Sequence, residues 1–135
     1  MTIPDSISAL VYGMKHDIWW ILGVWAVAGC GLATMIPHSS TYAGIAFASC
    51  FCLALVGAMP LVKGEHNTLH NIFGIAACLL SQLWVFLVGN RIHLFFLWTL
   101  YLIVLLLLLI NNKETKWCFF AEIWCFISIA KEIIS

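Results

Sequence analysis

Four stretches of this chain, Ile18 to Ile36, Tyr42 to Val62, Leu69 to Val88 and His93 to Ile110, contain no Asp, Glu, Lys or Arg. Each is close to the ~20 apolar residues that an α-helix needs to cross a hydrocarbon core. A fifth stretch, Trp117 to Ile134, is interrupted by Glu122 and closed by Lys131 and Glu132. Its apolar length is short for a crossing and calls for local thinning of the bilayer or a partly interfacial position. The intervening segments, Pro37 to Thr41, Lys63 to Thr68, Gly89 to Ile92 and Asn111 to Lys116, are short enough to force neighbouring helices antiparallel. In lipid, helices are the only open-ended way to satisfy backbone polar groups. The expected fold is therefore all-α, an integral membrane bundle of about five transmembrane helices with short loops. It forms one domain over residues 1–135, with spans near 18–36, 42–62, 69–88, 93–110 and 117–134.

Composition argues against the soluble alternatives. The chain is 64% hydrophobic and only 9% charged, against roughly 25% charged in a water-soluble domain. Six basic and six acidic residues balance to zero, so no basic surface exists to track a nucleic-acid backbone and no nucleic-acid partner is expected. The expected partners are the lipid bilayer and, because so small a bundle encloses little interior, further copies of the chain or another membrane protein. Six cysteines (Cys30, Cys50, Cys52, Cys78, Cys118, Cys125) lie within apolar runs and form no CxxC or zinc-ribbon spacing. They read as buried packing residues, the usual role of a free thiol.

Residues 1–17 lack the basic n-region and small-residue cleavage site of a secretory signal, so the first span is expected to be retained. Lys15, Lys63, Lys113 and Lys116 fall on one side of a five-span topology, with Arg91 and Lys131 on the other. The basic excess places the N-terminus in the cytoplasm and the C-terminus across a cell membrane, inner or plasma. Trp19, Trp20, Tyr42, Trp117 and, less cleanly, Trp98 and Tyr101 sit near the expected interfaces, where amphipathic rings prefer to lie. The fourth span, Leu-rich from Leu100 to Ile110, has no small or polar stripe and belongs on the lipid-facing perimeter. Spans two and three carry small residues at helical spacing: Gly44, Ala48, Ala54 and Ala58, then Gly74, Ala77 and Ser81. Such spacing lets backbones approach closely, so these spans should form the packed centre, with Gly44, Ala48 and Gly74 at helix contacts.

Four groups of residues could carry chemistry. Glu65, His66 and His70 open span three, and on a helix the two histidines are i,i+4 neighbours able to share one metal ion. His16 and Asp17 start span one on the same side, and Glu122 lies about one turn deeper from that face. His66, His70, His16, Glu65 and Glu122 are thus candidate ligands for a divalent, zinc-like metal, with Asp17 able to close the site. The plainer alternative is that they cap helix ends and meet headgroups. Glu122 is itself the second group, because a carboxylate inside an apolar run costs ~2.5 kcal/mol or more unless neutralised or paired. It shares a helical stripe with Cys118, Cys125, Ile129 and Glu132, a face that should turn toward protein or water. The third is the line Asn71, Cys78 and Gln82 in span three, expected to hydrogen-bond between helices or, as a minority role, to line a binding site. The fourth, at the opposite membrane face, is His38, Arg91 and His93, which could meet near Asn90 and bind an anionic headgroup.

Gly57-Ala58-Met59-Pro60, an acid at Glu65, Leu69-His70-Asn71 and then Gly74 form a recognisable pattern from Gly57 to Trp84. It resembles the family of unknown function called DUF998, itself similar to the Frag1 and DRAM group of small polytopic membrane proteins. The resemblance implies a helical membrane bundle and no particular activity, since that family has no common catalytic residues to carry over.

No P-loop, GxGxxG, GxSxG or HExxH occurs. The expected function is a non-enzymatic membrane module that binds a lipid, a small molecule or partner helices. The alternative is a metal- or proton-dependent enzyme or transporter using the His/Glu cluster on the cytoplasmic face. Five crossings predict that reporters fused at Met1 and at Ser135 label from opposite compartments; labelling from one compartment would leave an even number of crossings.

Overall fold

The computed structural model describes residues 17–58, 66–89, 91–110 and 117–135. Among them the chain is entirely helical apart from short connections: α1 (Asp17–His38), a short 3-10 turn (Ser40–Tyr42), α2 (Ala43–Ala58), α3 (His66–Val88), α4 (Arg91–Ile110) and α5 (Trp117–Ile134). Three helices, over Ile18–His38, Ser40–Ala58 and Thr68–Val88, are long and apolar enough to cross a membrane. The described boundaries differ from the sequence reading by a turn or less, and the expected end of the second span, 59–62, lies outside the described residues. The first helix continues through Pro37 to His38, where proline falls in the last turn and only one preceding carbonyl loses its donor. Ser39 N–H then bonds Met35 O at 3.3 Å and closes the helix.

Side-chain contacts fix the directions of the helices. Trp25 Nε1 donates to Ala54 O at 3.0 Å, while Gly31 faces Cys50 and Gly57 faces Val24, so α1 and α2 are antiparallel. Ser49 Oγ donates to Ala77 O at 3.0 Å and Val56 meets Gly74, making α2 and α3 antiparallel as well. Gln82 lies level with Cys125 and Ser128, and His38 in the last turn of α1 approaches Glu132 in the last turn of α5. Helices α3 and α5 therefore run parallel. Helix α4 returns between them, with Trp98 at Gln82 and Trp124 Nε1 donating to Leu97 O at 2.9 Å. The starts of α1, α3 and α5 thus share one end of the bundle, and their last turns share the other.

The main core gathers Met35, Ala46, Cys50, Trp84, Val85 and Leu94. Trp84 is fully enclosed. Large apolar side chains cover the outside of every helix, α4 above all, where Phe95 is 77% and Phe96 66% exposed. The peripheral position expected for the fourth helix holds, and α2 with α3 forms the centre.

Small-residue spacing misassigned one contact. A Cβ at Gly44 would meet nothing within 4 Å, because Gly44 shares the outward face of α2 with exposed Phe47 and Phe51. The buried stripe of that helix is Ala46, Ser49, Cys50, Val56 and Gly57. Gly74 makes only ordinary contact, with Val56 at 4.0 Å. The close approach occurs instead at Gly57, where an added Cβ would lie 2.9 Å from the Val24 Cβ. Gly57→Ala should therefore destabilise the bundle by about 1–3 kcal/mol, whereas Gly44→Ala should be neutral or slightly stabilising. Thermal unfolding in detergent reads the difference, and equal shifts for both would contradict this packing.

Candidate functional site

The most connected polar cluster lies where α3, α4 and α5 meet. Its hub is Gln82, whose Oε1 accepts from Trp98 Nε1 at 3.1 Å and from Ser128 Oγ at 2.9 Å. Its Nε2 donates to Cys125 O and to Ser81 Oγ, both at 3.4 Å. Ser81 Oγ in turn bonds Cys78 O at 2.8 Å, a local i−3 contact that occupies the hydroxyl proton. Ser128 Oγ has Cys125 O at 2.8 Å as a second acceptor, so its one proton chooses between the two. Trp98 packs edge-on against Tyr101 with centroids 5.4 Å apart, and Tyr101 lies 6.0 Å from Trp124. This aromatic wall covers one side of the amide.

Below the amide, one turn toward the start of α3, Cys78 is partly buried, and Cys125 is buried on α5 at the height where its carbonyl accepts from Gln82. Glu122, one turn before Cys125 on α5, is partly buried. The sequence line Asn71, Cys78, Gln82 is thus realised in its deeper two members. Asn71 is exposed. Of the expected Glu122 stripe, Cys125 is buried and Glu122, Ile129 and Glu132 are partly buried, with Ser128 buried beside them, while the Cys118 side chain lies outside the described residues. Sequence reasoning missed Trp98, Trp124 and Ser128 as members. Only Ser128, adjacent to that stripe, carried a signal that could have found it.

At the opposite end, His38 Nε2 stands 3.9 Å from Glu132 Oε1 and its ring lies 5.8 Å from that of Trp84. Lys131 Nζ and His93 Nδ1 are 3.0 Å apart, and Arg91 sits 4.9 Å over the Phe86 ring. The three residues expected to converge on an anion each take a different partner.

For the metal expectation, His70 and Glu122 are described, both partly buried. His16, Glu65 and the side chains of Asp17 and His66 lie outside the described residues. Among the described residues, no three His, Cys, Asp or Glu side chains gather closely enough to hold a metal ion.

A second feature is an open apolar groove of about 200 Å³ between α1 and α2. It is lined by the aromatic rings of Trp25, Phe47 and Phe51 and by the small residues Ala28, Gly29 and Ala54. Phe47 and Phe51 stack one turn apart, with centroids 6.1 Å apart and planes within 10°. The Trp25 indole N–H is spent on Ala54 O, and a Cβ at Gly29 would meet nothing within 4 Å. The groove therefore offers dispersion contacts and very little polarity.

No family model, curated protein or solved structure matches the chain.

The polar hub predicts measurable coupling. Gln82→Leu strands the Trp98 indole N–H, while Ser128 keeps the Cys125 carbonyl as acceptor, and should cost about 1–3 kcal/mol. In a double-mutant cycle with Ser128→Ala, the coupling should be at least ~0.5 kcal/mol. Additive losses in detergent unfolding would show that the two side chains do not share the bond.

Proposed function

We propose that the chain is a multi-pass membrane protein of five crossings, N-terminus cytoplasmic, that acts as a non-enzymatic module holding a hydrocarbon chain of a lipid between α1 and α2. The observation that carries this reading is the groove. An α-helix is roughly 10–12 Å across with its side chains, too wide to enter about 200 Å³, whereas a flexible acyl chain is narrow enough. The small residues Ala28, Gly29 and Ala54 leave room, and the rings of Trp25, Phe47 and Phe51 give contact area. Exposed apolar side chains all around the bundle support the bilayer setting, since a soluble monomer rarely exposes contiguous apolar patches beyond a few hundred Å². The resemblance of Gly57 to Trp84 to a family of polytopic membrane proteins points the same way.

In liposomes carrying a photoreactive diazirine fatty acid, adducts should concentrate on the α1 and α2 peptides that line the groove. Gly29→Phe, which fills open space, should lower that labelling severalfold, while Ile103→Phe on the outside of α4 should leave it unchanged. Labelling spread over α4 and the groove in proportion to exposure would contradict the proposal.

A further inference from the structure

The last turn of α5 carries two histidine contacts of opposite kind, and the acyl-chain reading uses neither. Lys131 Nζ stands 3.0 Å from Nδ1 of His93, in the first turn of α4. Glu132 Oε1 stands 3.9 Å from Nε2 of His38, in the last turn of α1. We propose that this turn is a proton-operated latch. With both imidazoles neutral it is held to α4 through Lys131; with both protonated it is released from α4 and held to α1 through Glu132.

Each contact favours one protonation state. An ammonium group has donors and no acceptor, so Lys131 bonds His93 Nδ1 only while that nitrogen keeps its lone pair. A proton there turns the acceptor into a donor and sets two positive charges 3.0 Å apart. The His38 contact has the opposite demand, because a carboxylate favours the charged form of a neighbouring imidazole. Imidazole is the ordinary side chain that changes charge between pH 5 and 8, so one fall in pH drives both contacts in opposite directions. The hold on α4 is present at high pH and lost as pH falls. The hold on α1 is present at low pH and lost as pH rises.

The packing holds the acidic partner in place. A Cβ at Gly89 would collide with Glu132 Oε2, so the carboxylate occupies space that the glycine just past α3 leaves open. Only 14% of the Glu132 side chain is exposed, against 30% for His38. The carboxylate is therefore screened less than a surface charge, while the imidazole stays open enough to take its proton from water. The His38 ring also packs against Trp84, with centroids 5.8 Å apart, so it is not free to swing away. Among the described residues, the other charged or titratable groups at this end are Arg91, whose guanidinium lies over the Phe86 ring, and Tyr42 beside the core. The ends of α2 and α3 here bring none.

The test is thermal unfolding of the full-length protein in detergent at about pH 5 and about pH 8, the two ends of the imidazole range. His38→Phe keeps a ring against Trp84, and Glu132→Gln keeps the shape that fits Gly89. Each should lower Tm by about 2–4 °C at the acid end and leave it close to wild type at the alkaline end. The double variant should lose little more than either single one. His93→Phe and Lys131→Met should do the reverse, lowering Tm at the alkaline end alone. A second reading needs no loss of stability: spin labels at Phe95 on α4 and Ile134 on α5, both exposed, should move apart as pH falls in the otherwise unaltered chain. In Lys131→Met they should already stand apart at the alkaline end. Losses of equal size at both pH values in all four variants, or a label separation that does not change with pH, overturn the proposal.

Discussion

A primary amide enclosed by apolar helices has two N–H donors and an acceptor oxygen to satisfy, and Gln82 finds partners for them on its own helix, on α4 and on α5. In the membrane setting we propose, no hydrophobic driving force separates helix–helix from helix–lipid contact, so hydrogen bonds and close packing have to define the neighbours. Helices α4 and α5 have few small residues with which to pack closely. Their heights follow from the amide, from the Trp124 bond to Leu97 and from the last turn of α5, where Lys131 meets His93 in the first turn of α4 and Glu132 approaches His38 in the last turn of α1.

The first three helices are joined by a different principle. Between α1 and α2 the backbones approach at two heights, Gly57 against Val24 and Gly31 against Cys50. Between those heights the small residues Ala28, Gly29 and Ala54 leave volume that no side chain fills, and Trp25 spans it with one hydrogen bond. The groove is thus a product of glycine and alanine placement rather than of a missing element. Its aromatic edge, Phe47 and Phe51, occupies the face of α2 that also carries Gly44.

Much of this architecture was legible in the chain. Charge-free runs of fixed length gave the helices and their order, because apolar length and short connections leave few other folds. The spacing of Cys78 and Gln82 gave one inward face, and the depth of Glu122 gave another. What spacing could not give is which way a face turns: Gly44 satisfies the small-residue pattern as well as Gly57 does, and only the position of Val24 distinguishes them. Trp98 and Tyr101 read as interfacial rings because an indole has one polar atom and prefers a wet edge. In the fold that polar atom is satisfied by Gln82 instead. His38 with Glu132 joins residues from the first and last helices, a pairing that no local pattern signals.

The central claim is that α5 stands parallel to α3 along its whole length, so that the chain ends across the bundle from where α1 begins. Electron–electron distances in nanodiscs, measured between spin labels at two heights, address it directly. One pair takes Leu79 and Phe126, the other Phe86 and Ile134, all four exposed. A parallel, spanning α5 gives nearly equal distances for the two pairs. An α5 that turns away to lie in the interface lengthens the second by up to about 12 Å, the rise of eight helical residues, and that result would contradict the account.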